Sequence, residues 1–205
     1  MVSIRERTLA EIDDKEKQLV EKAKNGDRRA FEALVKSCAQ KVYNLALRLC
    51  GNPATAEDIS QGAFINAYKS ISRFEHKCPF AGWIYRITVN EWKGTVRHDK
   101  RRLYSKHDSL EEQRETEDGG IKKEITDTRQ DPATDFDRKN RSEIIEKALS
   151  EINDEARIMI VLRDMQEKSY EEISEIMETS LGTVKSRIAR AREALREKLS
   201  KYLEV

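Results

Sequence analysis

Basic and small polar side chains share one face of a helical stretch near the C terminus, "SLGTVKSRIARAR" (residues 180–192). The apolar side chains recur at helical intervals, which predicts that they share the opposite face and pack on a core. These are Val184, Ile188, Ala191 and Leu195. The outward face carries Lys185, Ser186, Ala189 and Arg190, with Arg187 and Arg192 on its flanks. Because such side chains can donate hydrogen bonds to guanine or to phosphates, the pattern predicts contact with double-stranded DNA.

A short helix and a turn come directly before this basic helix. "SYEEISEIM" has Ile173 and Ile176 at helical spacing, and "ETSL" separates it from the basic stretch. That order is typical of a helix-turn-helix, whose second helix lies in the DNA major groove. The backbone N–H groups at the start of the second helix, near Thr183, favour a phosphate there. The alternative is a surface helix whose arginines pair with Glu193 and Glu197, but the preceding helix and turn favour DNA binding.

Aromatic and basic side chains also come together in the middle of the N-terminal half. Phe80, Trp83, Tyr85 and Trp92 lie close in sequence to Arg86, Lys93 and Arg97. Aromatic rings stack on unpaired bases and basic groups follow the backbone, so this combination suits single-stranded nucleic acid. The alternative is that the rings fill a helical core, and the apolar spacing around Trp83 favours that alternative for Trp83 itself.

Three consecutive helices are predicted in the N-terminal half. A long apolar stripe begins after Asp27 and stops at Gly51, where a helix would end. Asn52 then suits an N-cap and Pro53 the first helical position of a second helix. A third helix begins at Phe80.

The chain is predicted to be all-α, with two small helical domains joined by a flexible linker. The segments are an N-terminal extension (1–24), a first helical domain (25–102), a net acidic linker without an apolar period (103–140), and a second domain that contains the helix-turn-helix (141–205).

Composition limits the classes of function. Lysine and arginine number 39 against 38 aspartate and glutamate, so any attraction for nucleic acid must come from local clusters of charge. The three cysteines show no zinc or disulfide spacing, and the chain has no phosphate-binding glycine loop or nucleophile signature. No cofactor, metal site or catalytic residue is therefore expected. The chain shows no signal-peptide or membrane-spanning apolar run, so a cytoplasmic protein without membrane insertion is expected.

The order of these motifs resembles a known family. "DRRAFEALV", "VYNLALRLCGNPATAEDISQGAFINAYKSISRF", "PFAGWIYRITVN" and "SYEEISEIMETSLGTVKSRIARAREALREKL" are similar to regions two and four of bacterial sigma factors of the extracytoplasmic-function group, in the sigma-70 family. The resemblance covers most of the chain apart from the N-terminal extension and the linker.

The resemblance implies a subunit that binds core RNA polymerase and directs it to promoter DNA. Its second region would dock on the clamp helices of the largest subunit, and the flap of the second largest subunit is also an expected contact. "AEDISQGAF" matches the clamp-docking segment, which makes Asp58, Ile59, Gln61 and Phe64 candidate contacts. The acidic linker would enter the polymerase channels. The resemblance also implies that an anti-sigma factor holds the chain silent.

The resemblance assigns promoter elements to both helical regions. The loop and helix around "FEHKCPFAGWIYRITVN" would hold an extruded base of the minus-ten element. The candidate contacts are Arg86, Asn90 and Lys93, with Phe80 and Trp83 shaping the site from within. The helix-turn-helix would contact the minus-thirty-five element through Thr183, Lys185, Ser186, Arg187, Arg190 and Arg192.

Three positions depart from the family's usual pattern. Gly62 stands where a glutamate normally follows Gln61, which removes a carboxylate from the docking segment. Glu178 occupies a turn position that commonly carries glycine, and Ala189 is smaller than the usual residue of the recognition helix. The alternative from another class is a stand-alone helix-turn-helix regulator whose N-terminal domain only dimerises.

Overall fold

The computed structural model describes residues 4–109 and 132–203, which form eight α-helices and no β-strand. The helices are α1 (Ile4–Lys24), α2 (Arg28–Cys50), α3 (Pro53–Ser70), α4 (Phe80–Ser109), α5 (Pro132–Glu151), α6 (Asp154–Ile160), α7 (Tyr170–Met177) and α8 (Leu181–Leu203). A 3₁₀ turn (Ile71–Arg73) follows α3, and a π-helical turn (Val161–Met165) follows α6. The all-α prediction is confirmed. Within the described ranges no helix has the length and apolar character needed to cross a membrane.

Helix α2 is the centre of the first domain and contacts α1, α3 and α4. It begins where the Asp27 carboxylate accepts hydrogen bonds from the backbone N–H groups of Arg29 (2.9 Å) and Ala30 (3.1 Å). It ends at Gly51, whose φ of 71° is left-handed and suits a residue without a Cβ. One stripe of α2 is buried: Phe31, Leu34, Cys38, Val42, Leu45 and Leu49. Both ends of the helix agree with the sequence prediction.

Helix α1 adds to the core of the first domain. Val20 and Ala23 on its last turns are buried, and α1 packs on α2. The Glu16 carboxylate also accepts a hydrogen bond from the backbone N–H of Phe80 at 2.8 Å, which ties α1 to the start of α4. The predicted boundary at residue 24 is therefore not the edge of the packed structure. Among residues 14–24, Leu19, Val20 and Ala23 are the apolar side chains that pack on the core, between many charged residues, so the sequence shows no clear stripe there.

The second domain is built from α5 to α8. Asn153 caps α6 by accepting from the N–H of Ala156 (2.8 Å). Helix α7 begins with a capping box, in which the Ser169 hydroxyl accepts from the Glu172 N–H and the Glu172 carboxylate accepts from the Ser169 N–H. The core lies between α6, the π-helical turn, α7 and α8 and includes Ile158, Met159, Leu162, Ile173, Ile176, Val184 and Ile188. Helices α7 and α8 form the helix-turn-helix that the sequence predicts.

Helical structure extends into both ends of the segment predicted as a linker. Helix α4 continues to Ser109 and α5 begins at Pro132, whereas the centre of the predicted linker, residues 110–131, lies outside the described residues. The stretch after residue 102 contains no glycine or proline up to Ser109, and Pro132 suits a first helical position. Neither stretch carries an apolar period in the sequence, so the hydrophobic period could not detect these ends.

Arg157 of α6 is one of several side chains that join the two domains. Its Nη1 donates to the carbonyl oxygen of Leu49 at the end of α2 (3.0 Å), and its Nε donates to the carbonyl of Leu149 (2.7 Å). The guanidinium also lies over the Trp92 ring of α4, 5.8 Å from its centroid. Burial lowers the pKa of this guanidinium. One side chain thus joins α2 and α4 of the first domain to α5 and α6 of the second.

Candidate functional site

The outward face of α8 is exposed as the helical spacing predicts. Lys185, Ser186 and Arg190 are exposed, whereas Val184 and Ile188 are buried on the opposite face. The Ser186 hydroxyl donates to the carbonyl of Thr183 at 3.0 Å. The face therefore presents two cations and a small polar side chain to solvent, on the second helix of a helix-turn-helix, where a major groove would lie.

The first turn of α8 is already capped by the chain itself. The Ser180 hydroxyl oxygen lies 3.3 Å from the backbone nitrogen of Thr183, which donates to it, and 2.9 Å from the Thr183 hydroxyl. Thr183 is half-buried. The sequence prediction of a free N–H at Thr183 is therefore corrected, since Ser180 occupies the position of a capping acceptor.

Both flanking arginines of α8 are paired with carboxylates of the second domain. Arg187 Nη1 lies 2.7 Å from Glu155 Oε1 of α6, and Arg192 Nη2 lies 2.5 Å from Asp164 Oδ1 of the π-helical turn. The Asp164 carboxylate raises the pKa of Arg192. A phosphate at these positions has to compete with an existing ion pair, which the sequence did not predict.

Helix α4 presents three of the five residues predicted for the minus-ten site. Arg86, Asn90 and Lys93 follow one another at i, i+4 and i+7, and each is at least partly exposed. Phe80 and Trp83, which were expected to shape the site from within, are 1% and 7% exposed. Their rings pack together with Phe74 in an aromatic cluster, which the apolar spacing of α4 points into the core. They shape the surface from within.

Arg86 is engaged by the second domain. Its Nη1 forms an ion pair with the carboxylate of Glu178, the residue that ends α7. Glu178 has a φ of 48°, so this turn accepts a residue with a Cβ in the left-handed region. The contact covers part of the α4 surface with the helix-turn-helix, and it is a feature that the sequence did not indicate.

The candidate docking face of α3 carries Asp58 and Gln61, both exposed, and Phe64, which is half-buried. Ile59 is only 3% exposed, and the prediction that it contacts a partner is corrected, because it points into the core from the opposite side of the helix. Two apolar side chains that the sequence did not single out, Ile65 and Tyr68, are 53% and 41% exposed. The sequence could have identified both residues, because each is a large apolar residue that lies outside the buried stripe of α3.

These exposed apolar side chains line a shallow groove of about 360 Å³ between α2 and α3. Phe31, Phe64, Ile65 and Tyr68 form its wall, and Arg28, Glu32 and Lys69 its rim. Phe31 and Tyr68 meet edge to face, with ring centroids 5.0 Å apart. An apolar surface of this kind beside polar side chains is typical of a contact surface for another protein.

Burial raises the pKa of several thiol and phenol groups in the first domain, which favours their neutral forms. Burial raises the pKa of the Cys38 thiol to about 11 and that of the Tyr85 hydroxyl to about 12. Burial also raises the pKa of Cys78, beside α4. The residues that the structure describes contain no group of three or more metal-ligating side chains. The thiols are therefore protonated near neutral pH and are poor nucleophiles.

Comparison with known proteins agrees with this architecture. Residues 34–102 match the family Sigma-70 region 2, and residues 142–195 match Sigma-70, region 4. The RNA polymerase sigma-H factor of Pseudomonas aeruginosa is 31% identical over 190 residues, which cover 93% of this chain and 96% of the relative. The ECF RNA polymerase sigma-E factor of Escherichia coli is 35% identical over 181 residues, 88% of this chain and 92% of the relative.

Two solved structures share the fold. The sigma factor RpoE in complex with the anti-sigma factor NepR, from Bartonella quintana, aligns with a TM-score of 0.61 at 24% identity, over 83% of this chain and 96% of that one. CnrH in complex with the cytosolic domain of CnrY aligns with a TM-score of 0.59 at 22% identity, over 93% and 97% of the two chains.

The two helical domains and the exposed helix-turn-helix define a DNA-binding protein of transcription. The chain belongs to the sigma-70 family, in its extracytoplasmic-function group. It is a sigma factor that directs promoter-specific initiation by RNA polymerase, and the two sigma-70 regions on one chain argue against the stand-alone regulator.

Proposed function

We propose that three exposed surfaces divide the work of initiation in this sigma factor. Asp58, Gln61 and Phe64 on α3, extended by Ile65 and Tyr68, dock on core polymerase. Arg86, Asn90 and Lys93 on α4 contact the opened minus-ten element. Lys185, Ser186 and Arg190 on α8 contact base edges of the minus-thirty-five element, and Thr183, Arg187 and Arg192 lie toward the phosphates.

The observation that carries this proposal is the outward face of α8. Its basic side chains are exposed while the opposite apolar face is fully packed, so the helix can enter a major groove without unfolding the domain. Opening of the duplex costs a few kcal/mol for each unstacked step, so capture of an extruded base on α4 offsets that cost only in concert with polymerase. The isolated chain is therefore expected to bind promoter duplex weakly.

The protein acts by binding. Its thiols are protonated near neutral pH and its histidines lie in charged surroundings, which supports a function without catalytic residues, metal or cofactor. We place it in the cytoplasm, where promoter DNA and polymerase are found. We also propose an inhibitory partner of the anti-sigma class, which would cover the exposed apolar groove beside α3 and compete there with core polymerase.

Run-off transcription with purified core polymerase and a library of promoter fragments tests the proposal. The intact protein is expected to give discrete start sites. The pair Asp58→Ala with Gln61→Ala is expected to lose polymerase binding, and Lys185→Ala with Arg190→Ala to lose promoter selection while polymerase still binds. Glu143→Ala with Gln40→Ala removes one exposed carboxylate and one exposed amide elsewhere and serves as the matched control.

Two results would contradict this division of surfaces. Duplex binding without any recruitment of polymerase would support the stand-alone regulator instead. Equal loss of polymerase binding in the control pair would show that the α3 side chains have no specific role in docking.

A further inference from the structure

The docking face of α3 lacks a side chain at Gly62, and a carboxylate from α4 occupies that space. A Cβ built on Gly62 would lie 3.1 Å from Oε2 of Glu91 and 3.7 Å from its Cδ. The Glu91 carboxylate therefore occupies the space into which a side chain at residue 62 would project. Glu91 therefore lies across the α3–α4 contact, with its carboxylate over the glycine.

Asn66, one turn further along α3, holds this carboxylate in place. Its Nδ2 donates a hydrogen bond to Oε1 of Glu91. Among the described residues, Glu91 has no lysine or arginine partner in an ion pair. One oxygen is thus fixed by an amide while the negative charge stays without a counter-ion on a partly exposed surface.

The carboxylate lies among the candidate polymerase contacts. Asp58, Gly62, Ile65 and Asn66 follow one another at i, i+4, i+7 and i+8 and share one side of α3. Asp58, Ile65 and Asn66 are exposed, so this side of the helix faces solvent. A partner that covers α3 here meets Glu91 together with Asp58.

We infer that Glu91 is a polymerase-docking residue, which supplies from α4 the carboxylate that α3 lacks at position 62. Its chemical partner is an arginine or lysine side chain of core polymerase, because a fixed carboxylate without a counter-ion is complementary to a cation. This inference rests on the proposed role of α3 in docking. The glycine at position 62 then costs the docking face no negative charge, because Glu91 of α4 places a carboxylate over it.

The competing explanation is purely structural, in which Glu91 and Asn66 only brace α3 against α4. The two explanations differ in what they require. A brace needs a hydrogen-bond acceptor attached to α4, which an amide also provides, whereas docking needs a negative charge at this place on the surface, whichever helix carries it.

The experiment measures the affinity of the full-length protein for purified core polymerase at several salt concentrations. Glu91→Gln keeps an oxygen acceptor for Asn66 but removes the charge, and it is expected to bind about fivefold more weakly, with a smaller salt dependence, as for a partly exposed ion pair. Asp99→Asn removes an exposed carboxylate elsewhere on α4 and is the matched control, with no expected change.

A charge-relocation variant tests the geometry directly. Glu91→Ala with Gly62→Glu moves the carboxylate from α4 to α3 and is expected to restore affinity to within about twofold of the original, whereas Glu91→Ala alone stays weak. Thermal unfolding of each variant shows whether it folds. If the relocated variant unfolds early, the affinity and salt dependence of Glu91→Gln decide the question alone.

Each outcome bears on one of the two proposals. Glu91→Gln with unchanged affinity and salt dependence, in a protein whose binding falls on Asp58→Ala with Gln61→Ala, overturns the role of Glu91 and leaves the docking face in place. A folded relocation variant that stays weak also overturns it, because the charge at that place is then insufficient. No loss with Asp58→Ala and Gln61→Ala contradicts the docking face itself.

Discussion

Among single residues, Glu178 combines a strained backbone with a contact between domains. Its φ of 48° is left-handed, which costs a residue with a Cβ about 1 kcal/mol relative to glycine. Its carboxylate also pairs with Arg86, at an exposed position where an ion pair contributes little stability. The turn thus keeps a residue that is unfavourable locally and that pairs with Arg86 on the proposed minus-ten surface of α4.

We expect Glu178→Gly to be more stable than Glu178→Gln by about 0.5 to 1 kcal/mol. Both substitutions remove the charge that pairs with Arg86, and only glycine relieves the left-handed backbone, so their difference isolates the strain. Urea unfolding at one pH measures the free energy of each. Equal unfolding free energies would show that the turn is not strained by the side chain.

The sequence predicted the chemistry of single residues better than their accessibility. Lys185, Ser186 and Arg190 were placed on an exposed face by the helical wheel alone, because the apolar partners on the other face were unambiguous. Ile59 was assigned as a contact by resemblance and is buried. A sequence motif identifies the matching position along the chain. Whether the side chain at that position is exposed depends on which helix packs against it.

The helices themselves were largely predictable from local signals. Asp27, Gly51 and Asn52 end or begin helices through hydrogen bonds to nearby backbone groups, and such contacts depend on few neighbours in the sequence. The extension of α4 to Ser109 and the start of α5 at Pro132 were missed because neither end carries an apolar stripe. Where a helical stretch has no apolar period in its sequence, composition alone does not separate it from a linker.

Arg187 of α8 has two candidate roles, a contact with a DNA phosphate and an ion pair that stabilises the second domain. Its ion pair with Glu155 joins α8 to α6 on the flank of the DNA-binding face. We expect Arg187→Ala to weaken promoter binding and to lower the slope of log affinity against log salt by about 1, as for one phosphate contact. Glu155→Ala frees the guanidinium and is expected to strengthen binding about twofold, the effect of losing a weak surface ion pair.

The matched control for α8 is Arg196→Ala, which removes an exposed arginine that pairs with Glu193 on the same helix. It is expected to leave the salt slope unchanged. Titration of a minus-thirty-five duplex with the polymerase-bound protein at several salt concentrations gives all three slopes. If Arg187→Ala keeps the original slope and only lowers the unfolding free energy, the arginine is a structural residue.

Across the whole molecule, the second domain covers part of the surface of the first that we propose contacts the minus-ten element. Arg86 pairs with Glu178, the Tyr85 hydroxyl donates to Gln166 at 3.3 Å, and Lys100 lies 2.9 Å from Asp154. Contacts between residues so far apart in sequence leave no periodic signal, so the sequence predicted two domains without predicting that they touch. Full access of DNA to Arg86 requires this contact to open.

Arg157 is a half-buried side chain at the contact between domains, beside the apolar residues that both domains contribute there. Its half-buried guanidinium donates to the carbonyl oxygens of Leu49 and Leu149 and lies over Trp92, so its removal leaves two acceptors without that donor. We expect Arg157→Ala to separate the domains and to raise the radius of gyration by roughly 2 Å or more, measured by small-angle X-ray scattering, because the chain between them then sets their distance.

Arg48→Ala is the matched control for this opening, because Arg48 also spans the two domains, through an ion pair with Glu146 at 3.4 Å, but both side chains are largely exposed. It is expected to leave the radius of gyration unchanged, since exposed pairs contribute little. The opened Arg157→Ala protein is also expected to bind minus-ten single strands more tightly in the presence of core polymerase, because Glu178 no longer competes for Arg86. An unchanged radius of gyration together with unchanged binding would show that the contact is held elsewhere and that Arg86 is already accessible.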